Sequence, residues 1–365
     1  MAQSKFRTDV HLTVSIHKRG NGGILPDLAI YSKNQTKIKD TKLYASLYDL
    51  SQDYPENTSV YSQAEAVFDV DTFNNNLLEV IPAPATAANT PAKVAVKPTK
   101  DGATVSATTT PAIIAGIQNH LHDGFKYLIL DGFAEADIET LSDFLYKQQR
   151  IMTVAQLTSV DDLGKLKAHA ASTMTTANSL DNLAALVDTS NDRFPVAQAD
   201  AFAVSNIPTD YMHIENLSEF EVDPNLSDDD VDQIESLNGI AIVNKGGDLL
   251  PSGSKTLAGN NYIDQFVHFQ IVVDTYQQVL QKYLNDNKFP SYTDKTIGEM
   301  KTALDNAGNN MFTQGILETK PLVTSIKRAD VLPSLVAERE YNGFRVNATI
   351  ADDIQSINAA LDLVI

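Results

Sequence analysis

Asn244-Lys245-Gly246-Gly247, then Ser252-Gly253-Ser254-Lys255-Thr256-Leu257-Ala258-Gly259, then Asn261-Tyr262-Ile263-Asp264, is the stretch from which the fold is read. The apolar run Ile240-Ala241-Ile242-Val243 before it predicts a strand, and the paired glycines predict a hairpin turn. After Tyr262, the residues Ile263, Phe266, Val267, Val273, Tyr276, Leu280 and Leu284 recur at helical spacing and make a broad apolar stripe. Lys288-Phe289-Pro290 ends that helix, Thr293-Asp294 opens a second, and Gly315 stops it.

Upstream of this block, Ser227 and Asp230 are spaced to cap a helix that Gly239 terminates, with Asp228 and Asp229 favouring its positive end. Between 113 and 208 short apolar strands alternate with helices. A helix over 113–122 precedes Tyr127-Leu128-Ile129-Leu130, and one from Glu135 leads to a strand over 151–157. Another from Asp161 leads to Ala184-Ala185-Leu186-Val187, and an Ala-rich helix covers 195–204. That alternation predicts an α/β layer with mainly parallel pairing.

The N-terminal part begins with strict alternation of Val10, Leu12, Val14 and Ile16 against polar neighbours, a half-buried strand. Gly20-Asn21-Gly22-Gly23 breaks it, Leu28-Ala29-Ile30-Tyr31 is the next strand, and 44–68 carries helical spacing in two pieces around Pro55. The stretch 82–111 is rich in Pro, Ala and Thr, and Asp101-Gly102 between β-prone runs predicts an exposed hairpin or linker. At the other end, Phe344, Val346, Ala348 and Ile350 alternate as one strand, and Ile357, Ala359, Leu361, Leu363 and Ile365 as a second.

Composition excludes several functions. The 365 residues suit two or three domains. A formal charge of −19 opposes a nucleic-acid partner and an anionic membrane surface alike. No cysteine is present, which removes disulfides, thiolate metal sites and a Cys nucleophile. The opening Met-Ala-Gln-Ser-Lys-Phe-Arg lacks the apolar core of a signal peptide, and no stretch has the apolar length of a membrane helix, so folding in a cytoplasm is expected.

Candidate chemistry is thin. Gly247 to Thr256 resembles a phosphate-binding loop, but it carries one residue too many between its glycines, and Ser254 intrudes before Lys255. Pro251 also removes a backbone donor, so a hairpin is the better reading. His120 and His122, with Asp123, offer metal-ligand types, yet on a continuing helix the two rings would point about 200° apart. Stabilisation of a helix C-terminus explains them better. Asp223 to Asp232 lacks the order of a calcium loop, and no carboxylate pair or exposed serine elbow stands out. No catalytic, cofactor-binding or metal residue is therefore assigned, and no cofactor is expected. The terminal strands either close their own sheet or add to a neighbour's.

Taken as an ordered set, these segments resemble the tail sheath proteins of contractile phage tails. The set comprises 10–16, the Gly20–Gly23 break and 28–31. It continues with Tyr44-Ala45-Ser46-Leu47-Tyr48-Asp49 through Tyr61 and Ala64 to Phe68, and then Gly259 to Asp264, Leu280, Leu284, Lys288-Phe289-Pro290 and Thr293-Asp294. Residues 323–326, 339–350 and the final strand complete it. The resemblance implies an α+β multidomain chain with a core domain of mixed sheet and helices built from both chain ends and an inserted α/β domain. Mapped here, that gives an N-terminal arm strand (1–20), an N-terminal part of the core (21–81), the hairpin or linker (82–111), the inserted domain (112–215) and the C-terminal core with its terminal strand (216–365). It implies a structural subunit, not an enzyme, that stacks as rings in a helical homopolymer around a tail tube and contracts to drive the tube through an envelope. Partners would be further copies, the tail tube protein, and baseplate and tail terminator proteins, with no nucleic acid and no membrane. The place would be the virion tail, after assembly in the host cytoplasm. The implied interface residues are Val10, Leu12, Val14 and Ile16 at one end, and Ile357, Leu361, Leu363 and Ile365 at the other.

Other readings remain open on the residues alone. One is the sheath of a genome-free injection machine. Another is a cytosolic α/β enzyme or small-ligand-binding protein, using the strand ends at 127–131 or 151–157. A surface-layer or adhesin subunit fits less well, for want of a signal peptide.

Overall fold

The computed structural model describes residues 26–34, 40–73, 76–84, 111–148, 151–173, 182–190, 193–208, 210–214, 217, 221–259, 261–287 and 290–352. Its centre is a six-stranded sheet. In chain order the strands are β1 (Leu28–Ser32), β2 (Lys42–Tyr44), β3 (Leu78–Pro82), β4 (Tyr127–Asp131), β5 (Met152–Leu157) and β6 (Leu183–Val187). In space the order is β2-β3-β1-β4-β5-β6, all parallel except the edge strand β2. The strands that the sequence showed as unbroken apolar runs are buried on both faces, as a parallel sheet requires.

One face carries Leu28, Ile30, Val80, Ile129, Val154 and Leu186. It packs under α1 (Leu47–Ser51), α2 (Ser59–Phe68) and α6 (Pro195–Ser205), together with the first turns of α8 (Ile263–Asp286). The opposite face carries Ala29, Tyr31, Leu128, Leu130, Ala155 and Leu157. It packs under α3 (Ala112–Gln118), α4 (Glu135–Gln148), α5 (Val160–Thr173) and α7 (Asp228–Ser236). At α7 the Ser227–Asp230 capping box forms as the spacing predicted.

The Gly-rich block is a hairpin. Strands β7 (Ile242–Lys245) and β8 (Asp248–Pro251) pair antiparallel with Lys245 opposite Asp248. Gly246 and Gly247 form the two-residue turn, both at positive φ (69° and 112°), where a side chain would be strained. Thr256 N–H and Oγ1 both donate to Asn261 O, and Ile263 N–H donates to Ser254 O, which aims α8 into the sheet.

Helix α8 then leaves the sheet. Its Tyr276 and Leu280 join Leu304, Ala307 and Met311 of α9 (Asp294–Thr313), with Ile316, Leu317 and Val323, in a third core. Against this core lies a two-stranded antiparallel ribbon, β9 (Leu322–Thr324) with β10 (Arg345–Asn347), and α10 (Pro333–Glu338) lies between them in sequence. No described helix is long and apolar enough to cross a membrane.

Strand β1 lies between β3 and β4, so 28–82 shares its sheet and both cores with 127–187. The Pro/Ala/Thr-rich stretch falls in the β3-to-β4 connection, which passes β1 through α3; parallel neighbours demand such long crossovers. The hairpin and the start of α8 also belong to this body, and Ile240 bridges to Leu186 of β6. Residues 85–110, where the exposed hairpin was expected, lie outside the described residues.

One buried group gives a pH signature. Burial pushes the His268 imidazole, on α8, down to about 4. The folded state thus binds fewer protons than the unfolded one, whose imidazole titrates near 6.5. His268 therefore leaves stability intact above pH 6.5 and removes it as pH falls towards 4, by about 3 kcal/mol in total. Asp200 acts oppositely, because full burial holds its carboxyl well above the usual range and favours the acid form as pH falls. The difference between wild type and His268→Gln isolates the imidazole: melting curves at pH 7 and pH 4.5 should converge in the variant relative to wild type.

Candidate functional site

Three places merit attention as sites: the ribbon near the C-terminal end, the crevice at the carboxyl ends of the sheet strands, and the turn after α3.

The eight interface residues predicted from the sequence, Val10, Leu12, Val14, Ile16, Ile357, Leu361, Leu363 and Ile365, lie outside the described residues. Residues 345–351 run antiparallel to 316–324, through the β9–β10 ladder, the Leu317–Ile350 bridge, Glu318 N–H to Thr349 O at 2.9 Å and Ala351 N–H to Ile316 O at 3.1 Å. The ribbon packs one face on the third core through Val323, Phe344 and Ala348, while Leu322 is 64% and Val346 37% exposed. A two-stranded ribbon is marginal by itself and carries backbone donors and acceptors along its edges.

The strand-end crevice is where doubly wound sheets hold ligands. Its centre is Asp131, 2% exposed, at the end of β4. Ser32 Oγ and Asn34 Nδ2 donate to Asp131 Oδ2, the latter at 3.0 Å, and Gln63 Nε2 donates to Oδ1 at 2.7 Å. Gly132 follows at φ 72°, and a Cβ there would meet Asn34 at 2.8 Å, which keeps this corner closed. The cavity lined by Gln63, Asp131, Gln156, Thr158 and Ser190 measures about 110 Å³. That is well short of the roughly 300 Å³ at which ligand pockets begin. Both carboxylate oxygens of Asp131 are engaged by the chain itself, so the group ties β1, α2 and β4 together.

Asp131→Asn is accordingly expected to cost about 2–4 kcal/mol, because it leaves buried donors of Ser32, Asn34 and Gln63 facing an amide. Thermal or denaturant unfolding measures it. A small stability change accompanied by loss of a bound small molecule would favour the ligand-binding reading instead.

The turn after α3 differs from its expected form. The helix stops at Gln118, and the chain bends through His120 N–H to Ile117 O and Asp123 N–H to His120 O. His120 and Asp123 are therefore brought face to face, with Nδ1 to Oδ2 at 2.6 Å, while His122 is not part of the group. The third member, Glu79 of β3, comes from 41 positions upstream of His120 and was not signalled by the sequence; its Oε1 lies 3.6 Å from His120 Nδ1. Burial pushes the Glu79 carboxyl up to about 7, with His120 opposing the rise and Asp123 adding to it. Burial works to lower the His120 imidazole, but the two carboxylates outweigh it and hold the ring up at about 9.

No protein-family model and no curated protein matches the sequence. Solved structures do match the fold. A chain in the anti-feeding prophage baseplate in its contracted state aligns with TM-score 0.63 at 12% identity, covering 100% of this chain and 99% of that one. A chain of the PVC sheath complex of an extracellular contractile injection system, also contracted, aligns with TM-score 0.60 at 12% identity, over 99% and 98%. A chain of the six-fold symmetrised anti-feeding prophage baseplate gives 0.62 at 11%, over 98% and 100%. At these identities the likeness establishes a shared fold, end to end, including the α/β body and the helical unit with its ribbon.

Proposed function

We propose that this chain is the structural subunit of a contractile tail sheath, polymerising around a tail tube and contracting to drive the tube through an envelope. The observation that carries the reading is the end-to-end correspondence with a sheath complex, nearly complete over both chains. A catalytic domain with an unrelated appendage would match over part of its length only.

Self-association follows from the termini. Residues 10–16 and 357–365 each carry the alternating apolar pattern of a half-buried strand, and the β9–β10 ribbon offers edges on which such segments from neighbouring copies would add. Each backbone hydrogen bond so gained contributes a net ~0.5–1.5 kcal/mol, and the apolar face adds to it. Copies linked in this way stay joined while the bodies between them rearrange. Contraction needs no nucleotide if the extended lattice is a trapped state that gains buried surface on closing. The further partners are the tail tube protein, the baseplate and the tail terminator, and the assembly sits in a virion or injection-machine tail after assembly in the host cytoplasm.

Co-sedimentation with polymerised tail tube protein tests this. The full chain is expected to pellet with the tube at a fixed stoichiometry, whereas a chain that stays in the supernatant at every concentration would speak for a different role.

A further inference from the structure

We propose that Glu79, His120 and Asp123, with Thr41 orienting the imidazole, form a Zn²⁺ site that ties β3 to the turn after α3. The site is independent of the sheath reading. Among the described residues this is the only group of three His, Asp or Glu side chains whose ligand atoms converge, all lying within 4.8 Å of one another.

Glu79 is the reason to look for an ion. It is 3% exposed, on the sheet face otherwise filled by Ala29, Ile81, Leu128 and Leu130. Its Oε2 is buried without a hydrogen-bond partner, and its Oε1 is 3.6 Å from His120 Nδ1, beyond hydrogen-bond range. The His120 Nδ1 that lies between the two carboxylates is engaged with Asp123 at 2.6 Å and leaves Glu79 Oε2 unserved, whereas a divalent ion in that place would meet both carboxylates.

The geometry suits zinc. Tetrahedral Zn²⁺ holds N and O ligands at about 2.0–2.2 Å, which sets ligand atoms roughly 3.4 Å apart. The Glu79–His120 separation of 3.6 Å already matches. The His120–Asp123 separation of 2.6 Å must open by under about 1 Å, and Asp123 belongs to an exposed turn that can yield (side chain 38% exposed). Thr41 Oγ1 lies 3.1 Å from His120 Nε2. With Nε2–H donating to this oxygen, the ring would present Nδ1 to the two carboxylates, and Thr41 would serve as the outer partner of a metal-bound histidine. On binding, Zn²⁺ replaces the proton on Nδ1, which leaves to solvent, and a water completes the fourth position on the Asp123 side. An imidazole with two carboxylates favours zinc over magnesium or calcium, which take oxygen ligands alone. Such an ion joins β3 and α3, the two elements that flank 83–111.

The test uses the full chain, stripped with chelator and dialysed, then titrated with ZnCl₂ by calorimetry, with metal content read by mass spectrometry. One Zn²⁺ per chain is expected, with the melting temperature rising as free Zn²⁺ rises. Asp123→Asn, at an exposed position that leaves the fold intact by circular dichroism, should bind at least tenfold more weakly. Thr41→Val should lose about tenfold, and His169→Asn should change nothing. Glu79→Gln should abolish uptake. Stoichiometric Co²⁺ in place of Zn²⁺ should give the visible absorption of a tetrahedral ion in wild type only. Absence of stoichiometric uptake, or uptake by Asp123→Asn equal to wild type, would overturn the site.

Discussion

Removing residues 1–19 is expected to leave a folded chain that forms no tubes. The central sheet, its two flanking cores and the helical core are built from residues between Leu28 and Ala348, so the body does not draw its described architecture from the first 19 positions. What those positions hold is the alternation of Val10, Leu12, Val14 and Ile16, which the proposed function reads as a strand donated to a neighbouring copy. A handful of ladder hydrogen bonds and a row of buried aliphatic side chains, less the cost of ordering the strand, leave about 5 kcal/mol per junction. Losing that weakens each association about 10³–10⁴-fold, enough to take a helical polymer below assembly at any workable concentration. Circular dichroism and sedimentation velocity should report a native-like monomer. Long ordered tubes from the truncated protein would sink the strand-linking idea.

The second large effect is at Phe266. Its side chain is fully buried one turn into α8, within the core that α2, α6 and the sheet share. Helix α8 is also the element whose later turns supply Tyr276 and Leu280 to the third core, so Phe266 seats one end of the beam joining both bodies. Phe266→Ala is expected to cost about 3–5 kcal/mol through lost burial and the cavity left behind. For a chain of this size that is a fall of about 4–7 °C in melting temperature. Leu284→Ala, at a half-buried position near the far end of α8, should cost clearly less. A loss under about 1 kcal/mol at Phe266 would mean that α8 does not depend on this seat, and the joint between the two bodies would have to lie elsewhere.

Much of the architecture was legible in the residues, for definite physical reasons. Runs such as Tyr127 to Leu130 and Ala184 to Val187 are long enough and bounded clearly enough to read as buried parallel strands, and the Gly246-Gly247 turn and Ser227–Asp230 cap carry their own chemistry. Strand β3 was not legible. Leu78 to Pro82 is five residues, ends in proline, and carries Glu79 as its second residue, so periodicity alone does not separate it from a loop. Missing β3 hid the crossover through α3, and with it the fact that 28–82 and 127–187 share one sheet. The same omission hid the Glu79–His120–Asp123 group, because a ligand set assembled across a sheet has no spacing to read. At Asp131 the strand end was visible, but only the fold shows that Ser32, Asn34 and Gln63 already occupy its oxygens.

The central claim, that this chain is a self-assembling sheath subunit, is tested most directly by negative-stain electron microscopy of the purified full-length protein at high concentration, alone and with tail tube protein. The account predicts hollow cylinders with a regular axial repeat, formed unaided or nucleated on the tube. Monodisperse particles under both conditions would contradict it.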